Sequence, residues 1–273
     1  MHLKAICKSL VVLLLWPLLF ALPAAPAWAQ KYPSRAITVV CPFPPGGSAD
    51  ILARLTAQKL SESLGVPVIV ENRAGAGGGV GSAYVAKAKP DGYTLIEVTG
   101  GYPALAALTT NPQFDSLRDI TMISLITSYP FFINVPADSQ FRSVAELIAF
   151  ARANPGKLNY TTSGIGSIHH LSSELFNAMA GTEIVHIPTK GGNAGLTEVL
   201  GGRIDLLFEA PTLSLPFIKS GKLRALGYDA PTRAPFLPEV PTLVEAGGPL
   251  TQIDASWHGL FSPAQTGLSL IHI

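Results

Sequence analysis

Short apolar runs and amphipathic stretches alternate along the chain, and glycine or proline stands at most of their boundaries. Residues 36–43 are apolar and rich in β-branched side chains, a pattern that predicts a buried strand. Residues 49–64 place leucine and isoleucine on one face at helical spacing, which predicts an amphipathic helix. A second strand at 67–70, a short helix at 80–89 and a third strand at 93–98 complete a βαβαβ order. This order predicts a parallel sheet with right-handed crossovers.

The second half of the chain repeats this alternation. It begins with a long β-rich stretch at 120–135, which predicts a crossing between two lobes. Two α/β lobes joined by extended segments form a cleft, and such clefts hold small ligands. Beyond the crossing, helices are predicted at 144–153, 168–180, 194–200 and 213–220, and strands at 158–161, 184–187, 204–208 and 223–228.

The first 29 residues have the layout of a secretory signal peptide. Lys4 and Lys8 precede an apolar run at 10–22, and the Ala-Trp-Ala sequence at 27–29 is a small-x-small cleavage site. A membrane anchor is the alternative, but the run is shorter than the roughly 20 apolar residues that span a bilayer. We therefore expect residues 1–29 to be cleaved and the mature protein to be exported.

Composition and charge limit the classes of partner. Loss of Lys4 and Lys8 with the signal lowers the formal net charge from +1 to −1, and charged residues make up only 14% of the chain. A nearly neutral surface argues against a nucleic-acid partner. Cys41 is then the only cysteine, so we expect no internal disulfide, and its apolar neighbours indicate a buried side chain, not a nucleophile.

Glycine-containing loops connect predicted strands to predicted helices at 42–50, 71–81 and 161–167. Glycine lets the backbone turn sharply and approach a ligand closely, and the free N–H groups at a helix start attract an anion. Ser48 suits the N-cap position of the first helix. Asp50 is acidic, so we expect it to stabilise the helix start and not to contact a carboxylate.

Two further loop features leave alternatives open. The loop at 71–81 has five glycines in seven positions, but it completes neither a dinucleotide fingerprint nor a nucleoside-triphosphate loop. Its glycines serve either ligand approach or close packing of a helix on the sheet. A fourth loop, at 189–193, contains Lys190, which could pair with an acid, although an isolated lysine beside glycines is more often solvated.

Together these loops resemble the Bug family, the periplasmic substrate-binding proteins of tripartite tricarboxylate transporters. The resemblance implies a two-lobed α/β fold of the type II, Venus-flytrap class, with a mixed, mostly parallel sheet flanked by helices in each lobe. It also implies a monomer in the periplasm that closes over a small organic acid, needs no cofactor or metal, and delivers its ligand to a membrane permease. The matching stretches are 32–35, 42–50, 71–78, 90–95, 162–167 with 170–171, and 200–205.

The resemblance also implies ligand contacts and lobe boundaries. We expect lobe 1 at 30–129, lobe 2 at 130–225 and a return to lobe 1 at 226–267, with hinges near 127–130 and 226–230. Glu209 stands where aspartate is usual, and the loop at 189–195 lacks the usual tyrosine and proline, so the identity of the acid stays open. The implied ligand contacts are Phe43, Pro45, Gly46, Gly47 and Ser48 on one lobe, and Thr162, Ser163, Gly166 and Ser167 on the other.

The last six residues, 268–273, resemble the translation of a sequencing-library adaptor. We therefore expect them to be an artefactual tail on a truncated reading frame. The final helix of lobe 1 that the family resemblance implies would then be missing from the sequence.

Other functions need separate consideration. A hydrolase could use Ser163 or Ser167 with His169 or His170, but there is no Gly-x-Ser-x-Gly motif, and the short spacing indicates local helix-start contacts, not a triad. Adjacent histidines point to different helix faces and have no second ligand cluster, which argues against a metal site. A protein that senses the acid and signals to a membrane kinase would have the same pocket, so that alternative stays open.

Overall fold

The computed structural model describes residues 32–109, 113–249 and 257–267. The predicted signal peptide at 1–29 and the predicted tail at 268–273 lie outside the described residues. From Arg35 onward the chain forms one compact unit. Among the described helices, none is both long and apolar enough to cross a membrane.

The first sheet is built mainly by the N-terminal part of the chain. Its strand order is β2-β1-β3-β10-β4, and β10 runs antiparallel to both of its neighbours. Val39 lies opposite Val70 on one side and Leu95 on the other, so an apolar row crosses the parallel strands. The strands are β1 (Ile37–Cys41), β2 (Val68–Asn72), β3 (Thr94–Thr99), β4 (Ile120–Ser128) and β10 (Trp257–Pro263), and the helices are α1 (Ser48–Leu64), α2 (Gly79–Ala86) and α3 (Tyr102–Leu108).

The second sheet has the same plan. Its order is β7-β6-β8-β5-β9, and β5 runs antiparallel to its neighbours β8 and β9. Each sheet therefore has one antiparallel strand in the fourth place, which confirms the predicted mixed, mostly parallel sheets. The strands are β5 (Phe132–Pro136), β6 (Asn159–Thr162), β7 (Val185–Pro188), β8 (Leu206–Glu209) and β9 (Leu223–Tyr228), and the helices are α4 (Val144–Ala153), α5 (Ile168–Ala180), α6 (Gly192–Leu200) and α7 (Pro211–Lys219).

Local capping explains where the helices begin and end. Ser143 caps α4, because its hydroxyl accepts the Glu146 N–H while the Glu146 carboxylate accepts the Arg142 N–H. Ser167 caps α5, and Gly181 follows α5 in the left-handed conformation, with φ of 59°. These are the residue types that helix termini prefer, so both helices have the predicted bounds.

The boundary predicted at residue 226 is wrong. Strand β9 continues to Tyr228 within the second sheet, so the boundary would cut a strand. The chain after β9 also stays with that lobe, because Ala234 and Leu237 pack with Phe132 in one apolar cluster, and Leu243 belongs to the main core of the second sheet. The second hinge therefore cannot lie at 226–230. The hinge predicted near 127–130 overlaps the short link between β4 and β5.

Candidate ligand site

The loop between β1 and α1 is held rigidly by the carboxylate of Asp50. Asp50 is 3% exposed and accepts the Gly46 N–H at 2.9 Å, the Asn72 side-chain amide at 2.8 Å and two bonds from Arg54 at 2.9 Å. Burial pushes the pKa of Asp50 upward, but the bonds from Arg54, Gly46 and Asn72 outweigh burial and leave the pKa below its usual value. Asp50 therefore has the structural role expected from the sequence.

The loop between β6 and α5 is held by side chains of its own lobe. Thr162 points away from the cleft, since its hydroxyl bonds to the Gly164 N–H at 3.2 Å and to the His186 ring at 2.7 Å. The Gly166 N–H donates to the His170 ring at 3.2 Å, and Gly166 has φ of 78°, a conformation that favours glycine. The loop backbone is thus positioned by residues behind it.

These two loops meet across a narrow cavity of about 20 Å³. That volume holds about one water molecule, so the two lobes are closed on each other. The closure is tight on the α6 side as well, where a Cβ on Gly191 would lie 3.0 Å from the Pro44 ring. The cavity is lined by Phe43, Pro44, Gly47, Ser48, Ala49, Thr99, Tyr129, Ser163, Ser167, Ile168, His169, Gly192 and His258.

Not all of the predicted ligand contacts reach this cavity. Pro45 lies in an adjoining outer recess that Lys190 and Gly191 also line. Gly46 faces Asn193, Thr162 braces the second loop from behind, and Gly166 faces Leu108 and Gly101 of the first lobe outside the cavity lining. The predicted residues that the structure brings together around the cavity are Phe43, Gly47, Ser48, Ser163 and Ser167.

Sequence reasoning missed the polar side chains at the base of the cavity. The His258 ring bonds to the Glu97 carboxylate through Nδ1 at 2.5 Å and to the Tyr129 hydroxyl through Nε2 at 2.5 Å. Burial raises the pKa of Glu97, and the neighbouring His258 only partly offsets that effect. The sequence offered one indication of these side chains. Glu97 lies within the apolar strand β3, and a buried charge requires a polar partner.

The second lobe has a comparable arrangement. The His169 ring bonds to the Ser163 hydroxyl through Nδ1 at 3.1 Å and approaches the Glu209 carboxylate through Nε2 at 3.4 Å. The Ser163–His169 contact is local, as the spacing predicts, and Glu209 from β8 is a further partner that the spacing does not indicate. The ring nitrogens are used in the reverse order to that of hydrolytic triads, in which Nε2 faces the serine.

His170, His186 and Cys41 are structural. His170 stacks on His186 with ring centroids 4.3 Å apart, away from the cavity. Burial raises the pKa of the Cys41 thiol to about 12, so it stays protonated, as expected of a buried residue. Within the described ranges, no three histidine, cysteine or acidic side chains are grouped as metal ligands would be.

A larger cavity, of about 590 Å³, is lined by residues of the first lobe. Its wall includes Val80, Leu105 and Phe114. The helix starts that line it, Gly79 of α2 and Tyr102 of α3, both belong to the first lobe, and its wall has no histidine–glutamate pair, so we place the candidate site in the cleft, where helix starts of opposite lobes meet.

The comparisons with known proteins agree with this geometry. The model of the tripartite tricarboxylate transporter family receptor matches residues 52–272. The chain belongs to this family. The BugT protein of Bordetella pertussis is 37% identical over 250 residues, which covers 91% of this chain and 76% of BugT.

Two solved structures of similar proteins carry ligands. Rpa4515 of R. palustris, solved with adipate, has a TM-score of 0.85 and 37% identity, and covers 88% of this chain and 81% of its own. MatC of Rhodopseudomonas palustris, solved with malate, has a TM-score of 0.82 and 32% identity, and covers 88% of this chain and 82% of its own. The tripartite tricarboxylate receptors are periplasmic binding proteins, and this chain has their two-lobed fold.

Proposed function

We propose that this receptor captures a small carboxylate in the periplasm and delivers it to the membrane component of a tripartite tricarboxylate transporter. The observation that carries the proposal is the convergence of two helix starts on one cavity. Ser48 at the start of α1 and Ile168 at the start of α5 both line that cavity, from opposite lobes. Helix N-termini present N–H groups and a positive dipole end, which favour an anion.

Hydrogen bonding can supply the affinity without a lysine or arginine. A hydrogen bond to a charged group contributes roughly 1.5–3 kcal/mol, and a micromolar site needs about 8 kcal/mol. The cavity wall offers the hydroxyls of Ser48, Ser163 and Ser167 besides the backbone N–H groups. Four or five such donors would suffice. Adipate and malate, the ligands of the similar proteins, are dicarboxylates, so their charged oxygens would accept hydrogen bonds from such donors.

Capture requires the lobes to separate. The closed cavity of about 20 Å³ cannot admit a dicarboxylate. The link between β4 and β5 is three residues long, 129–131, and is the described point at which the chain crosses between the sheets. A ligand that contacts both lobes stabilises the closed form, because only a difference in affinity shifts such an equilibrium.

A ligand screen with scattering tests this proposal. Thermal-shift measurements with malate, adipate, other di- and tricarboxylates and aromatic acids should identify a stabilising acid. Hexane-1,6-diol, which has the chain length of adipate without its charges, should give no shift. Small-angle scattering with the identified acid should show a smaller radius of gyration than without it. An equal response to the diol, or no compaction at saturation, would contradict the proposal.

We also propose that this receptor is not an enzyme. The Ser163–His169–Glu209 row is the feature that could suggest hydrolysis, but its ring nitrogens are reversed relative to a triad and Ser163 faces the Nδ1 atom. Incubation with the acids identified by the screen, followed by mass spectrometry, should return each acid unchanged. Formation of product that is lost in the Ser163→Ala variant would overturn this.

A further inference from the structure

A row of aromatic and acidic side chains crosses the base of the cleft from one lobe to the other. The rings follow one another at centroid distances of 5.5, 5.9 and 4.8 Å. A glutamate lies behind the histidine at each end, and the two central rings belong to the link between β4 and β5. The members, in spatial order, are Glu97, His258, Tyr129, Phe131, His169 and Glu209.

The first-lobe end of this row is a buried charge with an incomplete set of partners. Glu97 is 0% exposed and His258 is 1% exposed. One Glu97 oxygen bonds to His258, whereas the other, Oε2, has no hydrogen-bond partner among the described residues. An unpaired buried carboxylate is costly unless it is protonated or paired with a cation. The Glu97–His258 pair is therefore a place where an additional proton is stabilised.

The groups around this pair include the Arg54 cation, whose hydrogen bonds go to Asp50 and Asn72 and not to Glu97 or His258. Asp50 from α1 and the Cys41 thiol from β1 are the other titratable groups that act on Glu97 or are acted on by it. Glu97 and Glu209 both act on the Tyr129 hydroxyl, one from each lobe, and His169 lies beyond Phe131.

Protonation of His258 changes the direction of the hydrogen bonds that reach the cavity. A neutral His258 ring that donates from Nδ1 to Glu97 has an Nε2 atom that can only accept. The Tyr129 O–H then donates its hydrogen bond to that Nε2 atom. With a protonated ring, Nε2 donates to Tyr129, and the phenolic hydrogen is free to point elsewhere. Tyr129 and Ser48 both line the cavity. The freed hydrogen is therefore available to a group that occupies the cavity.

We infer that Tyr129 is a proton-dependent donor to the carboxylate of the ligand, and that binding takes up a proton from solvent onto the Glu97–His258 pair. The inference rests on the proposed function, because it assumes an anionic ligand in this cavity. It also makes Tyr129 a specificity-determining residue. Protonation removes one negative charge from the base of the cleft, so the site favours an acid over the corresponding neutral amide or alcohol.

The sign of the pH dependence follows from this coupling. A bound anion raises the pKa of the Glu97–His258 pair above its value without ligand. Affinity is then highest at low pH, falls by up to about tenfold per pH unit as pH rises above the ligand-free pKa, and levels off above the ligand-bound pKa. Adipate and malate are fully ionised near neutral pH, so between about pH 6.5 and 8 the protein supplies the pH dependence.

Calorimetric titration with adipate and malate, each in two buffers of different ionisation enthalpy, tests the inference. Wild-type protein should take up a fraction of a proton that approaches one. Tyr129→Phe should weaken binding by roughly 10- to 150-fold, as the loss of one bond to a charged group implies, and should reduce the proton uptake. Tyr84→Phe, which removes a hydroxyl from a side chain outside the cleft, should bind as wild type does.

The outcomes separate the inference from the proposed function. If no carboxylate of the screen binds the wild-type protein at any pH, the proposed function fails, and the inference fails with it. If an acid binds with no proton uptake, or if Tyr129→Phe retains wild-type affinity and pH dependence, the inference is overturned and the proposed function stands. His258→Asn is a second variant whose pH dependence should be flat where wild-type affinity changes.

Discussion

The Asp50 carboxylate ties the loop between β1 and α1 to α1. The contribution of this carboxylate to stability should depend on pH. Its pKa is lower in the folded protein than in the unfolded chain, because the bonds that it accepts outweigh burial. The folded protein therefore binds fewer protons, and the stabilisation is complete above the unfolded pKa of about 3.9 and is lost as pH falls below it.

Asp50→Asn should accordingly lower the free energy of unfolding by about 1–3 kcal/mol at neutral pH. The difference from wild type should narrow as the pH of the denaturation experiment is lowered, since the wild-type carboxylate becomes protonated. Chemical denaturation at neutral and acid pH measures both values. Equal stability of the two proteins at neutral pH would show that Asp50 does not brace the loop.

Gly47 is the position at which a side chain should block binding without harming the fold. Its φ of −83° suits any residue, unlike Gly46 with φ of 83°, and a Cβ there would lie 3.8 Å from the Gly192 N atom. Gly47→Leu should weaken acid binding by about a hundredfold or more, or ~3 kcal/mol, because the leucine enters the cavity.

The stability of Gly47→Leu should change by about 1 kcal/mol at most, since leucine is a poorer N-cap than glycine. Ala149→Leu places the same side chain on an exposed helix position of α4 and should bind normally. Calorimetry and thermal denaturation of the two variants separate occlusion from misfolding. Wild-type affinity in Gly47→Leu would place the ligand elsewhere.

At this scale the sequence predicted the loop residues better than the base of the cleft. Gly47 and Ser48 stand beside a predicted strand end and helix start, so a local pattern identifies them. Glu97 and His258 are 161 positions apart and meet only because β10 pairs with β3. No local pattern indicates that pairing.

Helix α4 offers a test of an element that is remote from the ligand. At the start of the helix the Ser143 hydroxyl accepts the Glu146 N–H, and the Glu146 carboxylate accepts the Arg142 N–H. Ser143→Ala should lower the free energy of unfolding by about 1 kcal/mol and leave acid affinity unchanged. Denaturant titration measures the free energy of unfolding, and calorimetry measures the acid affinity. A loss of affinity as large as that of Gly47→Leu would mean that the second lobe is not a rigid body.

The elements that could be predicted are those with local signals at both ends. Helices α4 and α5 and strand β9 have the predicted bounds, because serine caps, glycine and proline mark them. Helix α3 and strand β10 were missed. The first follows a Gly-Gly turn without a polar cap, and the second is an apolar run whose strand character depends on pairing with β3 and β4.

For the whole molecule, closure can be locked chemically. A Cβ on Gly46 would lie 3.9 Å from the Asn193 Cβ, within the 3.5–4.5 Å that disulfides require. The double variant Gly46→Cys, Asn193→Cys should lose acid binding when it is oxidised, because the closed cavity cannot admit ligand, and regain binding on reduction.

Each single cysteine variant provides the control for the crosslinked protein. The left-handed conformation at Gly46 costs about 1–2 kcal/mol with a side chain, so both the single and the double variants carry that strain. Redox-independent binding in the single variants and redox-dependent binding in the double variant are the expected pair of results. Binding by the oxidised, fully crosslinked protein would contradict entry through the cleft.

The architecture as a whole followed from the alternation of strands and helices, and only the return of the chain was misplaced. The described residues between β9 and β10, 229–249, contain no helix or strand, so their apolar side chains did not show which lobe they cover. Contacts of Ala234 and Leu237 with Phe132 assign them to the second lobe. Such packing is a tertiary property that periodicity alone does not reveal.

The account depends on donors from both lobes meeting one negatively charged ligand. A crystal structure with the acid selected by the screen tests this most directly. We predict carboxylate oxygens within hydrogen-bond distance of the Gly47–Ser48 loop and the Ser163–Ser167 loop together. An acid bound to one lobe alone, or in the larger cavity beside Val80 and Phe114, would contradict it.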